Sequence, residues 1–262
     1  MNYAICQIAL VPGNPQANYS QVEQWVHAVM MTEEKPDILV LPEMWTTGYT
    51  LPDLPQLAEH HLETTLPFLQ RLAKQHSVHV IGGSVANQRD GGIYNTALVV
   101  NKKGELVYEY DKAHLVPMLN EPAYLTEGRS IGHVFELDGI KMGVMICYDL
   151  RFPEIARSLA LEGAQVLHIV AEWPEARTTH WQALQVARAI ENQCYVVSSN
   201  VIGTYDGVEF AGSSMVIDPW GDILAQAGKD KEETLLISLE LNQVPKVRKD
   251  VPVFSSRRSD LY

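Results

Sequence analysis

Met142-Gly143-Val144-Met145-Ile146-Cys147-Tyr148-Asp149-Leu150-Arg151-Phe152-Pro153-Glu154 changes character at its cysteine. The run Met142 to Ile146 is apolar and reads as a buried strand, and the residues after Cys147 open a helix. A strand that ends at a cysteine and turns at once into a helix start lifts the sulfur to the rim of a sheet, where a nucleophile has to sit. Free cysteine also fills core space well. The local sequence allows both roles, and the rest of the chain has to choose between them.

On either side of this junction strand and helix patterns alternate. Tyr3 to Leu10 reads as a strand. Val22, Trp25, Val26 and Val29 then form one apolar helix face, starting about Asn18, where Gln21 three residues on suits a capping box. Asp37 to Leu41 is a short strand ended by Pro42, Leu62 to His76 a helix, and Val78 to Val85 a strand. Tyr94 to Val100 and Glu105 to Tyr110 flank Asn101-Lys102-Lys103-Gly104 as a hairpin. After the strand Ile140 to Cys147 come a helix (Phe152 to Leu161), a strand (Gln165 to Val170), a helix (Thr178 to Asn192) and a strand (Cys194 to Ser199). A second hairpin, Ser213 to Asp218 with Ile223 to Ala227, and a strand near Thr234 to Leu239 complete the pattern.

Strands separated by helices pair in parallel, and hairpins add antiparallel strands. So many strands are awkward in a single sheet. The expected architecture is an α/β fold of two mixed sheets packed face to face with helices outside, in one domain over residues 1–262. Gly82-Gly83 and Gly91-Gly92 match no nucleotide fingerprint and read as turn or bulge residues.

Composition narrows the partners. The 262 residues are 46% hydrophobic and 20% charged, enough apolar matter to bury a sizeable core. A net charge of −12 argues against nucleic acid or an anionic membrane, both of which recruit clustered Lys and Arg. No run approaches the roughly 18–20 apolar residues of a membrane span, and Met1 to Gln7 lacks the basic region of a signal peptide. Three cysteines (Cys6, Cys147, Cys194) with no CxxC, and no Cys/His spacing for zinc, fit a reducing, cytoplasmic setting. Cys6 and Cys194 lie inside apolar strands with no activating neighbour and read as core.

A nucleophilic Cys147 needs a base. Of nine histidines, His114 and His180 are the two that begin a loop or helix beyond a strand end. Two other groups sit at strand tips as Cys147 does: Glu43 follows Ile38-Leu39-Val40-Leu41-Pro42, and Lys112 follows Val107-Tyr108-Glu109-Tyr110-Asp111. Singly, each is explained by a chain emerging into solvent. Together, thiol, carboxylate and ammonium complete an acyl-transfer site.

Leu41-Pro42-Glu43-Met44, Tyr110-Asp111-Lys112-Ala113-His114-Leu115 and Ile146-Cys147-Tyr148-Asp149-Leu150-Arg151-Phe152-Pro153-Glu154 resemble, in order, the three signature segments of the nitrilase (carbon–nitrogen hydrolase) superfamily. The similarity runs from Tyr3 to Tyr262, and within the superfamily the chain most resembles the omega-amidase group. Gly82-Gly83-Ser84, Tyr94-Asn95-Thr96, Glu172-Trp173-Pro174 and Ala187-Arg188-Ala189-Ile190-Glu191-Asn192 also fit that group. The resemblance implies a four-layer αββα sandwich, a homodimer, and no metal or organic cofactor.

It further implies Glu43 as general base, Cys147 as nucleophile, and Lys112 favouring the thiolate and stabilising the oxyanion. Tyr148 N–H would be the second oxyanion donor, and Glu121 a supporting carboxylate that orders base and water. Arg151 would meet a substrate carboxylate and Trp173 wall the pocket, although each also has a purely structural use. The implied reaction is hydrolysis of a small carboxylate-bearing linear amide, such as 2-oxoglutaramate or 2-oxosuccinamate, through a thioester. N-carbamoyl compounds, deaminated glutathione and nitriles suit the same chemistry, and an inactive binding protein is the non-enzyme alternative.

Overall fold

The computed structural model describes residues 1–261; Tyr262 lies outside them. In chain order the strands are β1 (Asn2–Gln7), β2 (Ile38–Val40), β3 (Glu59–His60), β4 (His79–Arg89), β5 (Gly92–Val100), β6 (Leu106–Asp111), β7 (Phe135–Leu137) and β8 (Ile140–Ile146). They continue with β9 (Val166–Ala171), β10 (Tyr195–Asn200), β11 (Thr204–Tyr205), β12 (Val208–Glu209), β13 (Met215–Ile217), β14 (Ile223–Gln226) and β15 (Glu233–Ser238). The helices are α1 (Pro15–Met30), α2 (Leu54–Leu57), α3 (Thr65–His76), α4 (Pro153–Leu161), α5 (Thr178–Asn192) and α6 (Gln243–Asp250).

One sheet has the order β15-β1-β2-β4-β5-β6, with β3 beside β4; the other has the order β14-β13-β10-β9-β8-β7. The helix-separated neighbours β1, β2 and β4, and likewise β8, β9 and β10, are parallel, whereas the hairpin pairs are antiparallel. Side-chain alternation stacks the layers. Along β1, Tyr3 and Ile5 join the core shared with Val144, Val170 and Val197 of the second sheet. Ala4 and Cys6 point the other way, onto Val22, Val26, Leu69 and Leu72 of α1 and α3. Strand β1 packs on β10 and β4 on β9, while α4 and α5 cover the outer face of the second sheet. The layers are therefore helix, sheet, sheet, helix, the expected αββα sandwich.

His168 is a buried polar residue in this core, fully sealed on β9. Its Nδ1–H donates to the Gly143 carbonyl at 3.1 Å and its Nε2 accepts from the Tyr3 hydroxyl at 3.3 Å, a neutral tautomer assigned from its partners. Burial, opposed by the Gly143 bond, lowers its pKa to about 4. The unfolded chain therefore takes up this proton first as pH falls. His168 stabilises the fold fully above pH 6.5, and that contribution is lost as pH drops toward 4, about 3 kcal/mol in all. Urea unfolding between pH 7 and 4 should be less steeply pH-dependent in His168→Gln; an unchanged slope would contradict this account.

Among the helices, the starts of α1 and α3 differ most from the sequence reading. Helix α1 begins at Pro15, not near Asn18, because the Asn14 side chain caps Ala17 N–H at 3.1 Å. Asn18 is instead buried, its amide bonded to Val11 and Thr46. Helix α3 begins at Thr65 instead of Leu62, where the Glu59 carboxylate accepts the Thr64 and Thr65 N–H groups. Helix α6 has no counterpart in the sequence pattern: only Val244 and Val247 are buried along it, too few to write a periodic apolar face.

Candidate active site

Four strands, two from each sheet, end at the site and deliver its polar groups. Glu43 follows β2, Lys112 follows β6, Cys147 follows β8 and Glu172 follows β9. Glu43 and Lys112 are both sealed from solvent. Lys112 Nζ donates to Glu43 Oε1 at 2.8 Å and to Glu121 Oε1 at 2.7 Å. Asn95 Nδ2 donates to Glu43 Oε1 at 2.8 Å, and Glu172 N–H to Glu43 Oε2 at 2.7 Å. The Cys147 thiol completes the set, close enough for the charges of Glu43 and Lys112 to act on it. The Glu121 carboxylate also receives the Tyr49 hydroxyl and, at 2.5 Å, Val116 N–H. The three strand-tip residues singled out in the sequence thus meet, and Glu121 joins them.

The cysteine sits one residue beyond its strand, at the start of a 3-10 turn, Cys147–Arg151. Its φ of 44° is left-handed, a conformation that costs a side-chain-bearing residue on the order of 1–2 kcal/mol and turns the sulfur out of the sheet. Asp149 clamps that turn. Its buried carboxylate accepts Ile146 N–H at 3.1 Å, the Tyr110 hydroxyl at 2.8 Å and His114 N–H at 3.1 Å. Arg188 reaches across from α5 to the Leu150 carbonyl at 2.8 Å. One carboxylate therefore ties the cysteine turn to the loop that carries Lys112.

Glu43 is held by the Gly82-Gly83-Ser84 bulge in β4. Ser84 Oγ accepts Met44 N–H at 3.1 Å, and Ser84 N–H donates to the Pro42 carbonyl at 3.2 Å. Gly83 has φ 63°, and a Cβ there would collide with the Pro42 carbonyl oxygen and Trp45. Gly83→Ala adds a left-handed cost of about 1–2 kcal/mol to that collision and pushes the base off its cysteine. We expect a lower melting temperature and at least about a tenfold loss of kcat; a variant with wild-type kcat would show that the bulge does not position Glu43.

Electrostatics decide which groups carry charge. Burial first, and then the Glu43 charge, push the Cys147 thiol well above its ordinary range; Lys112 opposes them and does not prevail. The resting sulfur is a thiol: the Lys112 ammonium favours the thiolate, the direction the resemblance implies, but does not outweigh burial and Glu43. Burial lowers Lys112, but Glu43 foremost, then Cys147, more than reverse it, and the ammonium persists. Burial and then Glu43 raise both Glu121 and Glu172 well above the carboxylate range. Oε1 of Glu172 lacks a hydrogen-bond partner among the described residues, which suits a neutral acid. One ammonium facing three carboxyl groups thereby approaches balance.

A cleft opens over this cluster, with Cys147, Tyr148, Arg151 and Trp173 among its walls. The Arg151 guanidinium lies over the Trp173 ring at 4.6 Å and bonds His180 at 3.2 Å; it braces neither Glu154 nor Asp149. Both candidate histidine bases are engaged elsewhere. His114 stacks on Phe152 and bonds Asp149 at 2.9 Å, and His180 serves Arg151. Cys6 and Cys194 are fully buried core residues, as read from the sequence.

Comparison with known proteins agrees with this geometry. Residues 2–249 match the family model described as carbon-nitrogen hydrolase. The chain belongs to the carbon-nitrogen hydrolase family. It is 43% identical over 250 residues to a "2-oxoglutaramate amidase" of Bacillus subtilis (strain 168), covering 95% of each chain. It is 34% identical over 235 residues to the human "Omega-amidase NIT2", covering 86% of this chain and 84% of that one. The crystal structure of a carbon-nitrogen hydrolase from Helicobacter pylori G27 superposes with a TM-score of 0.93 at 26% identity, over 100% of this chain and 96% of the other. As a carbon-nitrogen hydrolase the chain is an enzyme that cleaves a linear C–N bond through a cysteine, which sets aside the inactive-binder alternative.

Four residues of this carbon-nitrogen hydrolase site escaped the sequence reading of roles: Asn95, Asp149, Glu172 and Arg188. All four lie in stretches noted for resemblance, Asp149 in the signature segment two residues from the cysteine. Apart from Ile146, three residues before Asp149, the partners that define them are 35 to 129 residues away in sequence, so no local pattern exposes them.

Proposed function

We propose that Cys147 is the nucleophile of an omega-amidase-type reaction on a small linear amide bearing a carboxylate, of the 2-oxoglutaramate or 2-oxosuccinamate kind. The observation that carries this reading is the Cys147 thiol set at the strand tip beside a buried Glu43 carboxylate that Lys112, Asn95 and Glu172 N–H hold in place. Glu43 takes the thiol proton as the S–C bond forms, and the carbonyl electron pair moves to oxygen. The Lys112 ammonium and Tyr148 N–H receive that oxyanion. As the carbonyl re-forms, the C–N bond breaks and Glu43 returns its proton to the departing ammonia, leaving an acyl thioester. Water gives a proton to Glu43 and attacks; the S–C bond breaks, the acid leaves, and the sulfur regains its proton. Glu121 holds Lys112 in place, Arg151 meets the substrate carboxylate and Trp173 walls the cleft.

The names of the relatives, 2-oxoglutaramate amidase and omega-amidase, support the substrate class. A panel of 2-oxoglutaramate, 2-oxosuccinamate, N-carbamoyl amino acids, deaminated glutathione and aliphatic nitriles, assayed for ammonia and acid, tests it. The two monoamides should show the highest kcat/KM; a preference for any other member would overturn the reading. We also read the chain as a cytoplasmic homodimer that binds neither nucleic acid nor membrane. Three unpaired buried thiols and the net charge of −12 support the setting, and exposed Ile190 against Gly221 beside exposed Trp220 offers an apolar face for a second copy. No helix among the described residues is long and apolar enough to cross a membrane.

A further inference from the structure

The cleft over Cys147 carries a second guanidinium that the thioester route leaves unused. Arg177 stands in the 3-10 turn Glu175–Arg177 and lines the cleft together with Arg151, and no acidic residue lines it with them. In a chain with 32 acidic against 20 basic residues, a pocket with two arginines and no acid is not what composition supplies. Arg177 enters the hydrogen-bond network of the described residues only through its backbone. Nε of Arg151 is buried and likewise lacks a partner among those residues. Two like charges set side by side in a half-buried cleft repel, and an anion between them relieves the cost.

Trp173 fastens both. Arg151 rests on its ring face at 4.6 Å, and its Nε1–H donates to the Arg177 carbonyl at 2.9 Å. The same indole thereby sets the height of one guanidinium and the backbone position of the other. Guanidinium forks match planar carboxylates, and a cleft with the nucleophile at one wall and two forks at another orders a molecule with an amide at one end and a carboxylate at the other.

We propose that Arg177 is a specificity-determining residue: with Arg151 it forms a two-guanidinium clamp for the substrate carboxylate, and Trp173 is the positioning residue that aligns the pair. The clamp deepens the amidase reading and rests on it. It selects monoamides of short dicarboxylic acids over neutral amides of equal length, and it binds the dicarboxylate product by the same contacts.

The test compares 2-oxoglutaramate with a neutral aliphatic amide of the same chain length, in wild type and in Arg177→Gln. Glutarate serves as a competitive probe that does not depend on turnover. The clamp predicts that Arg177→Gln lowers the preference for the carboxylate-bearing amide, and weakens glutarate inhibition, by about 10- to 100-fold, chiefly through KM. Arg177→Lys, which keeps the charge and loses the fork, should fall between the two and guards against a folding defect in the glutamine variant. Trp173→Phe, which keeps a ring face and loses the N–H, should raise KM more than it lowers kcat. If Arg177→Gln retains the wild-type preference and glutarate inhibition, the clamp is wrong and the amidase reading survives. If wild type itself prefers the neutral amide, the amidase reading is what fails.

Discussion

Glu43→Gln is expected to lower kcat by about 10²- to 10⁴-fold, the range attributed to a positioned general base. The resting sulfur is a thiol, held so by burial and by Glu43 itself, so the nucleophile has to lose its proton during attack. Glu43 is the carboxylate whose charge acts most strongly on that thiol, and both histidines considered as alternatives are engaged elsewhere. A glutamine keeps the shape but not the proton acceptor. Both Glu43 oxygens receive donors, Lys112 and Asn95 on one, Glu172 N–H on the other. An amide NH2 in either orientation therefore meets an N–H head-on, and the variant should also lose about 1–3 kcal/mol of stability. It should still fold, with kcat falling far more than KM rises. A Glu43→Gln variant with kcat within threefold of wild type would move the base elsewhere.

Lys112→Met should damage both fold and chemistry. Lys112 is fully buried and is the ammonium that Glu43 and Glu121 share, at 2.8 and 2.7 Å. Removing one partner from a buried charge cluster leaves the others uncompensated and typically costs about 3–5 kcal/mol. The same substitution deletes an oxyanion donor, worth about 10²- to 10³-fold in kcat. Denaturant titration and single-turnover ammonia release on the folded fraction separate the two effects. A variant of wild-type stability would mean that Lys112 does not neutralise the cluster. Wild-type kcat in the folded fraction would remove it from the oxyanion site.

The two-sheet sandwich was legible because each step rested on local signals: apolar runs, helix periodicity, and a glycine-bearing hairpin loop at Asn101 to Gly104. Glu43, Lys112 and Cys147 were legible for a related reason, since each follows the end of a strand, an apolar one for Glu43 and Cys147, and so had to sit at a sheet edge. The groups that hold them were not. Asp149 reads as an ordinary turn residue until Tyr110, His114 and Ile146 are seen converging on it. Glu172 reads as a charge leaving a strand, whereas it is sealed, with an oxygen unpartnered among the described residues and its N–H on the base. The start of α1 was misplaced because Asn18 carries the capping side chain type, while Asn14 makes the bond. Lys112 is visible in sequence as a neighbour that favours the thiolate, but the complete burial and the two facing carboxyl groups that outweigh it are not.

The most direct measurement of the central claim is steady-state ammonia release from 2-oxoglutaramate by Cys147→Ala beside Cys6→Ala and Cys194→Ala. The account predicts background release from the first and wild-type kcat from the folded fraction of the other two. Wild-type turnover by Cys147→Ala would contradict it.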